Sequence, residues 1–556
     1  MKKGALFTMF WLSLYGLVAQ VLTHDAPFSF YMLQTKSDYT TSYQLKTIKE
    51  QSESINSREN LDVAVLQKFE NEVWHWKDSI KTNGNRLQCF EFDAGQAEAL
   101  ALKIEKMVLP AGAKLFLYAP NEQNNFWLFD GKQTGFIKSQ FISQQVVGSK
   151  LIIELNCDAT CNGDLELSIS GLLNYFQTEN RSGPGFGQST DCEVNFACSE
   201  GEGWCNEAQS VVRILIQSGT RYFYCSGAVV NNTANDHTPY VLTAAHCGEN
   251  SSVSDFSYWK FDFLYQSEDC NSPSSESNID YLSLTGCENL AYAERSGASG
   301  SDFRLLQLND SIPSVWNIFY AGWNAEEKDK IETEGVCIHH PYGDIKKIST
   351  YTKPLLSTDA MGGFTNDLYW QTFWTETENG YGITEGGSSG SPLFNNFGQI
   401  IGTLATGSSY CDGMNESSPD FYGKFSKHWD DNGSNPVQCL KPWLDPLQLD
   451  VESWPGISGN EVLECGAKIS FDQFTLYPVP ADKYLKIGDV DLSTLSNADI
   501  IVYSINGTKM LEQHSSDSPD IKNIDVHSLP SGIYVLKVIK EGLIVTQKFV
   551  ILHSEN

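Results

Sequence analysis

The sequence predicts an all-β protein built from separate units. Short apolar runs of strand length recur along the chain, glycine and asparagine turns separate them, and helical periodicity is scarce before the stretch near Val437. A chain of 556 residues is also too long for one ordinary domain of about 100 to 200 residues. We therefore expect two or three β-rich units, each with its own core, joined by exposed segments.

The first segment has the pattern of an export signal. Lys2 and Lys3 precede an apolar stretch over residues 4–19, which ends in small or polar residues. A membrane anchor is the alternative, but the stretch is shorter than the ~20 apolar residues that a spanning helix needs. We predict a signal peptide over residues 1–20 and, once it is removed, no transmembrane segment.

Composition shifts divide the remaining chain. Polar residues lead into short β-type runs between about residues 60 and 178, which predicts an N-terminal β-sandwich. The segment RSGPGFG follows, and its Gly and Pro content is typical of an exposed linker open to proteolysis. We predict an N-terminal unit over 21–187, a second β-rich unit over 188–450, a linker over 451–469 and a small C-terminal sandwich over 470–556.

Charge and cysteine usage narrow the class of function. Thirty-eight basic residues against 69 acidic ones give a net charge of −31, which makes nucleic acid an unfavourable partner. The 14 cysteines include no C-x-x-C pair, so an exported chain favours disulfides over a zinc site. We expect no cofactor and no metal.

Three short motifs carry the residues of a nucleophilic catalyst. Serine needs an imidazole to take its proton and a carboxylate to hold that imidazole in the correct tautomer. His246 lies in VLTAAHC, Asp302 in SGSDFRLLQL and Ser389 in TEGGSSGSPL. The order His, Asp, Ser is that of the chymotrypsin group. The sequence thus predicts a serine peptidase triad, and a β-barrel without activity is the alternative.

The turn around the nucleophile is dense in glycine. A tetrahedral intermediate needs two main-chain N–H groups aimed at its oxyanion. Gly387 and Ser389 are the predicted donors, because glycines around the serine permit main-chain angles that a Cβ would obstruct.

The part of the chain that contains these motifs resembles a known protein family. Residues 192–446 resemble the lysyl endopeptidase family of trypsin-like serine proteases, secreted bacterial enzymes with a chymotrypsin-like double β-barrel. The resemblance extends through CEVNFACSEGEG, IHHPYGDIKKIS, GITEGGSSGSP, SPDFYGKF and PWLDP, in the family's order. It implies disulfides that join Cys192 to Cys411, Cys198 to Cys270 and Cys225 to Cys247. Proximity suggests a further pair between Cys157 and Cys161.

The resemblance also implies a specificity site. The family's pocket acid falls on Asp420, which would pair with a lysine ammonium. An indole and an imidazole line this site in the best-known members, whereas Met361 and Ala405 stand at the matching positions here. This departure leaves strict lysine specificity open and favours some acceptance of arginine.

Another departure concerns activation. The residue before the nucleophile is Ser388, where trypsin-like zymogens carry an aspartate that pairs with the new N-terminus. We therefore expect latency to arise elsewhere, most simply from an N-terminal unit that covers the cleft until the linker is cut after Arg181. The adjacent His339 and His340 suggest a metal-binding site, but the resemblance places them in a structural loop.

The last ninety residues resemble the type A C-terminal sorting domain of the type IX secretion system, through FTLYPVPADKYLKI, VYSINGTKM and HSLPSGIYVLKV. This resemblance implies an Ig-like β-sandwich and export through the periplasm of a Gram-negative bacterium to the surface or the medium. A fibronectin-like accessory module is the alternative.

Taken together, these features predict a secreted, monomeric serine endopeptidase that acts on polypeptides after basic residues. A catalytically silent surface binding protein and an adhesin whose function lies in the N-terminal sandwich are the alternatives.

Overall fold

The structure is a computed structural model of the chain. It describes residues 40–44, 62–74, 80–82, 85–120, 126–131, 136–163, 165–176, 185–276, 279, 281–295, 300–326, 332–358, 367–411, 418–431, 435–458, 475–477, 481–488, 499–504, 509–514, 523–540, 543–551 and 553. The predicted signal peptide over 1–20 lies outside these residues. In the described part, no helix is long and apolar enough to cross a membrane.

The N-terminal unit consists of two β-sheets that enclose one apolar core. One sheet contains β1, β3, β4, β6, β7 and β10, and the other contains β2, β5, β8, β9 and β11. The core lies between them and includes Phe92, Leu102, Leu115, Ile153 and Leu167. The strands are β1 (Thr40–Gln44), β2 (Asp62–Trp74), β3 (Ile80–Thr82), β4 (Asn85–Asp93), β5 (Ala99–Leu109), β6 (Ala111–Tyr118), β7 (Phe126–Asp130), β8 (Phe136–Ile142), β9 (Val146–Val147), β10 (Lys150–Asn162) and β11 (Glu166–Tyr175).

The central unit is the largest and contains nineteen strands. They are β12 (Val194–Asn195), β13 (Val211–Ser218), β14 (Arg221–Val229), β15 (Tyr240–Thr243), β16 (Lys260–Phe263), β17 (Leu282–Thr285), β18 (Cys287–Ala293), β19 (Phe303–Leu308), β20 (Phe319–Tyr320), β21 (Gly322–Asn324), β22 (Gly335–His339), β23 (Lys347–Tyr351), β24 (Leu356–Thr358), β25 (Tyr369–Thr372), β26 (Pro392–Asn395), β27 (Gln399–Gly407), β28 (Asp420–Lys424), β29 (Ser453–Trp454) and β30 (Ile457–Ser458).

These strands form two barrels of the chymotrypsin type. In the first barrel, hydrogen-bonded neighbours follow the order β17, β16, β13, β14, β15, β19, β18. In the second, the order is β12, β23, β22, β26, β27, β28, β25, β24. Each barrel has its own core, and a third apolar cluster, which includes Leu305, Trp323 and Phe394, contains residues of both barrels. Segments from the two barrels therefore meet along a packed junction.

Helices are few and short. They are α1 (Cys205–Ser210), α2 (Val253–Phe256), α3 (Phe425–Trp429) and α4 (Lys441–Leu444), together with 3-10 turns at Ser199–Gly201, His246–Gly248, Ser314–Trp316, Pro341–Gly343 and Pro436–Gln438. The predicted all-β class is confirmed, and the helical signal near Val437 corresponds to one turn of 3-10 helix followed by α4.

Strand β13 shows why a continuous apolar run forms here. Successive side chains of a strand point to opposite faces. Val212 and Ile214 face the interior of the first barrel, whereas Leu215 belongs to a cluster shared with the N-terminal unit. Because both faces are covered, the strand VVRILIQS is buried almost throughout and lacks the polar alternation of a one-sided sheet.

The N-terminal unit adds its strands to the edge of the first barrel. Strand β2 pairs antiparallel with the start of β14, where Val65 lies opposite Arg221 and Ala64 opposite Tyr222. The Lys103 Nζ lies 3.7 Å from the centre of the Tyr258 ring, a cation–π contact across the same junction. These contacts join the N-terminal unit to strand β14 and to Tyr258 of the first barrel.

The predicted linker over 451–469 differs from the structure in its first part. Strand β29 pairs with β21 and β30 pairs with β20, so residues up to Ser458 belong to the packed central unit. The Trp454 indole also donates to Asn235 Oδ1 at 3.1 Å. Proline and glycine at 455 and 456 indicate a turn between two short strands as well as they indicate a spacer.

The C-terminal unit is a small sandwich with a core of its own. One sheet has the order β31, β32, β35 and the other has the order β34, β33, β36, β37. Leu485, Val502, Leu536 and Phe549 are buried between them. The strands are β31 (Thr475–Tyr477), β32 (Tyr484–Gly488), β33 (Asp499–Ser504), β34 (Lys509–His514), β35 (Asn523–Asp525), β36 (Gly532–Lys540) and β37 (Leu543–Ile551).

Disulfides join distant parts of the central unit. The structure contains the pairs Cys192–Cys411, Cys198–Cys270 and Cys225–Cys247 that the family resemblance implied. It also contains Cys157–Cys161 in the N-terminal unit. Cys225–Cys247 lies next to His246 and fixes the loop that carries this side chain to strand β14.

Candidate active site

His246 stands at the end of a strand from the first barrel. It begins a 3-10 turn, three residues after the end of the mostly buried strand β15. Its side chain is 22% exposed, whereas Ala245 and Cys247 on either side are buried. The buried neighbours hold the main chain, and the imidazole remains accessible at the junction of the two barrels.

Asp302 is buried beside this histidine and bonds to it twice. The His246 main-chain N–H donates to Asp302 Oδ1 at 3.0 Å, and His246 Nδ1 lies 2.7 Å from Oδ2. An ionised carboxylate only accepts, so Nδ1 carries the proton and Nε2 is left as a base. Burial opposes ionisation, but the His246 charge and hydrogen bonds outweigh it and lower the pKa of Asp302 below its ordinary value.

The backbone of Asp302 is strained. Its φ is +59°, a region that residues other than glycine rarely adopt and that costs about 1–3 kcal/mol. Two side chains support it from behind: Thr403 Oγ1 donates to the Asp302 carbonyl at 3.3 Å, and His428 Nε2 lies 3.1 Å from the same Thr403 oxygen. Sequence reasoning missed both, because they come from strand β27 and helix α3, about a hundred residues further along the chain.

Ser389 lies on a tight turn that comes from the second barrel and touches the first. Gly387 and Gly390 have φ values of +87° and +78°, which favour glycine. A Cβ on Gly390 would approach Thr243 Oγ1 to 2.1 Å. The Ser226 N–H of strand β14 donates to the Ser389 carbonyl at 2.9 Å. The turn is thereby held against the segment that leads to His246.

The predicted oxyanion donors lie on this turn. Within the described residues, the main-chain N–H groups of Gly387 and Ser389 have no hydrogen-bond partner. Ser389 is partly exposed, whereas Ser388 and Gly390 on either side are buried. In the described residues, this turn therefore combines two unbonded main-chain N–H groups with a partly exposed serine.

Asp420 is fully buried at the start of strand β28. Its Oδ2 accepts from Trp374 Nε1 at 2.6 Å, from Thr384 Oγ1 at 2.7 Å and from Ser409 Oγ at 2.7 Å. Its Oδ1 accepts the main-chain N–H groups of Ser408 and Ser409 at 2.9 and 3.1 Å.

These donors oppose the cost of burying the carboxylate. Burial raises the pKa of Asp420 above its ordinary value, and the hydrogen bonds from Trp374, Ser409 and Thr384 reduce that rise. Sequence reasoning missed these partners, since nothing local links them to Asp420. Gly407 was missed as well: a Cβ there would approach Asp420 Oδ1 to 2.1 Å, so any other residue would clash with the carboxylate.

The other two predicted pocket residues do not join this group. Met361 lies outside the described residues. Ala405 is buried at a β-bulge of strand β27 and packs with Leu368 and Tyr369. Its carbonyl accepts from Arg295 Nη1 at 3.2 Å. The structure therefore places Ala405 beside Arg295 at the edge of the site, and its described packing partners do not include Asp420.

A cavity of about 860 Å³ opens on the first barrel beside His246. Gly248, Tyr292 and Arg304 line it, and Glu249 and Glu294 lie among its other lining residues. It is distinct from the Asp420 group, because none of its lining residues donates to that carboxylate. Among the described residues, no group of three or more His, Cys, Asp or Glu side chains could hold a metal ion.

Comparison with known proteins identifies the central and C-terminal units. Residues 186–423 match the family model for the lysyl endopeptidase C-terminal domain. Over 302 residues, the chain is 28% identical to the lysyl endopeptidase of Pseudomonas aeruginosa, and the match covers 52% of this chain and 62% of that relative. The chain therefore spans less than two thirds of this relative's length.

Two solved structures that resemble the chain are a thermostable serine protease, AL20, from an extremophilic microorganism and an inactivated protease paralogue from the scabies mite. The first is 15% identical and covers 39% of this chain and 92% of its own, with a TM-score of 0.27. The second is 14% identical and covers 40% and 92%, with a TM-score of 0.29. Because both scores are below 0.5, the fold assignment depends on the strand order described above.

Residues 475–552 match the family model for a secretion system C-terminal sorting domain. The segment that matches the lysyl endopeptidase model is therefore followed by a segment that matches a sorting domain, which indicates export to the cell surface or the medium.

Proposed function

We propose that this chain hydrolyses polypeptides after lysine, and less efficiently after arginine, through an acyl-enzyme intermediate on Ser389. The observation that carries the proposal is the pair of hydrogen bonds that His246 donates to Asp302 beside the Ser389 turn. This pair leaves His246 Nε2 as a base at the surface of the junction.

In the acylation step, the Ser389 Oγ attacks the carbonyl carbon of the scissile bond and His246 Nε2 takes its proton. The resulting imidazolium is stabilised by the buried Asp302 carboxylate. The oxyanion accepts from the N–H groups of Gly387 and Ser389. When the tetrahedral intermediate collapses, the C–N bond breaks and the imidazolium returns its proton to the leaving amine.

Water then completes the cycle. His246 Nε2 takes a proton from the water that attacks the acyl carbon, and the second intermediate collapses with return of a proton to Ser389 Oγ. The products are a peptide with a new carboxyl terminus and the regenerated enzyme. No cofactor enters this sequence.

Asp420 supports the preference for a basic residue. Its negative charge at the end of the pocket would balance an ammonium or guanidinium, and an unpaired buried cation is costly. Acceptance of arginine is a separate part of the proposal, because its guanidinium is planar and larger than the lysine ammonium.

We propose that the prodomain, which lies within residues 21–187, is removed by a cut after Arg181, which leaves Ser182 as the first residue. Both positions lie outside the described residues, and N-terminal sequencing of the secreted enzyme tests the assignment.

A fluorophosphonate probe tests the proposal directly. Stoichiometric labelling of Ser389, lost in both Ser389→Ala and His246→Ala, supports the triad. Absence of labelling from the wild-type enzyme, with the fold intact, would favour a silent binding protein instead. Labelling of a different serine would move the nucleophile.

A further inference from the structure

The side chain before the nucleophile points away from solvent and is anchored. Ser388 is fully buried, and its Oγ accepts the Glu385 main-chain N–H at 3.1 Å. Its own N–H donates to the Glu385 carbonyl at 3.0 Å. These two bonds close the turn on itself. A third contact joins the turn to a different strand, because Ser388 Oγ lies 2.7 Å from His339 Nδ1 at the end of β22.

The donors and acceptors that link Ser349, His339 and Ser388 determine where each proton lies. The Ser349 hydroxyl donates to the Ile383 carbonyl at 2.9 Å, so its oxygen can only accept from His339 Nε2, which is 3.1 Å away. Nε2 therefore carries the proton and Nδ1 is the acceptor. The Ser388 hydroxyl donates to Nδ1 while its oxygen accepts from Glu385. Each polar group of this path is satisfied.

The surroundings keep the imidazole neutral. Burial is the main cause that lowers the pKa of His339, to about 3, and the Lys347 charge lowers it further. Glu193 Oε2 lies 3.6 Å from His339 Nε2. Burial, followed by the nearby Glu385, raises the pKa of Glu193 well above its ordinary value, because burial disfavours the charged form. The geometry alone gives the turn a fixed hydrogen bond from Ser388 to His339.

The main chain that enters the domain is bound nearby as ordinary amides. Gly187 N–H donates to Asp344 Oδ1 at 2.7 Å, and Thr190 N–H donates to Glu385 Oε2 at 3.0 Å. The partners of Ser388 are instead a side chain and a main-chain amide of the central unit.

We propose that His339 is a positioning residue for the oxyanion turn, which it holds through Ser388 in place of a pairing with a newly formed N-terminus. This inference rests on the proposed peptidase function of Ser389. It follows that the turn has its working shape before the linker is cut. His339 touches neither substrate nor reacting atoms.

Two serine substitutions separate the anchor from general packing. Ser388→Ala removes the donor to His339. Ser391→Ala is the matched control, because Ser391 is equally buried in the same segment but its Oγ contacts Cys337 Sγ. We expect Ser388→Ala to lower kcat by about 10- to 100-fold, short of the 10²- to 10³-fold that follows the loss of an oxyanion donor. Ser391→Ala is expected to change kcat by less than about 3-fold.

Histidine substitutions test the direction of the hydrogen bond. The Oδ1 of an asparagine reaches the place of Nδ1 and can accept from Ser388, whereas a glutamine amide reaches the place of Nε2. His339→Asn is therefore expected to retain more kcat than His339→Gln. Equal loss in the two variants, at equal stability, would contradict the assigned tautomer.

A difference between two inhibitors distinguishes the positioning role from a merely structural one. The measured quantity is the change in affinity of each inhibitor. A peptide boronate forms a tetrahedral adduct on Ser389 and needs the oxyanion donors, whereas n-butylamine occupies only the basic pocket. Ser388→Ala should weaken the boronate in proportion to kcat and leave n-butylamine inhibition within about 2-fold. Parallel loss of both inhibitors, or a Ser388→Ala enzyme as active as Ser391→Ala, would overturn the inference.

The uncut precursor supplies the last arm. A chain kept intact by Arg181→Gln should bind the boronate within about 10-fold of the cut enzyme, because the anchor needs no new N-terminus. A loss of more than about 100-fold, restored by cutting, would overturn the inference. Failure of wild-type, processed enzyme to label at Ser389 would instead remove the proposed function, so the two failures are distinguishable.

Discussion

Replacing Asp420 by asparagine is expected to separate substrate preference from chemistry. The side chain keeps its shape, but one oxygen becomes an amide nitrogen that donates. The Oδ2 site has three donors and the Oδ1 site has two, so the nitrogen is best tolerated at Oδ1. The N–H groups of Ser408 and Ser409 then lose their acceptor.

Two effects set the magnitude. A buried donor without a partner costs about 1–3 kcal/mol, so we expect a loss of about 2–6 kcal/mol in the free energy of unfolding. A lysine ammonium left unpaired in the pocket costs about 3–5 kcal/mol, which corresponds to a decrease of about 10²- to 10³-fold or more in kcat/KM. Peptides with norleucine in place of lysine should lose far less, because they carry no charge.

The assay compares kcat/KM for lysine, arginine and norleucine peptides and measures thermal unfolding of the same samples. Asp445→Asn is the matched control, since Asp445 is another buried carboxylate that accepts main-chain N–H groups, here those of Leu449 and Asp450. The control should lose stability without a change in the lysine-to-norleucine ratio. An unchanged ratio in Asp420→Asn would refute the role of Asp420 as the specificity acid.

Three further predictions concern Asp302, Glu207 and the C-terminal unit. Asp302→Asn should lower kcat by about 10⁴-fold, because the amide favours the wrong tautomer of His246. The pKa of Asp302 is lower in the folded than in the unfolded protein, so its carboxylate contributes fully to stability above about pH 4, and this contribution disappears as the pH falls through the folded pKa. The variant should lack this loss of stability in acid. Burial raises the pKa of Glu207 from 4.5 to about 7, so Glu207→Gln should raise the free energy of unfolding by about 2–3 kcal/mol at pH 8. This gain should vanish below about pH 4.5, where the acid is protonated in both the folded and the unfolded state. An equal gain at every pH in denaturant titrations would contradict this assignment. Deletion of residues 470–556 should leave kcat unchanged, since the C-terminal unit has a separate core, and should retain the enzyme in the periplasm; normal release of the truncated chain, measured by immunoblotting of cell fractions, would contradict the sorting role.

The parts of the site that the sequence predicted are those encoded by short motifs. His246, Asp302 and Ser389 each stand in a string whose residues explain the local geometry, such as the glycines that permit positive φ at 387 and 390. Three of the disulfides came from the family resemblance, and Cys157–Cys161 came from proximity in the sequence.

The remaining parts depend on contacts between distant segments. Trp374, Thr384 and Ser409 meet Asp420 only after strands β25, β27 and β28 have paired, so no local pattern marks them. The anchoring role of His339 had a visible signal in the pair with His340, but a pair of histidines alone does not indicate which of the two points to the nucleophile turn.

One expectation about organisation was overturned by packing. The early linker boundary assumed that proline and glycine mark a spacer, whereas Ser453–Trp454 and Ile457–Ser458 are strands on the central unit. These short strands have few local signals, and their partners β21 and β20 lie more than a hundred residues earlier in the sequence.

One measurement tests the central claim most directly: mass spectrometry of the enzyme after reaction with two peptide diphenyl phosphonates that differ only in lysine or norleucine at the reactive position. The account predicts one adduct, on Ser389, that is absent from Ser389→Ala and forms at least about 10²-fold faster with lysine than with norleucine. An adduct on another residue, no adduct at all, or equal rates for the two reagents would contradict it.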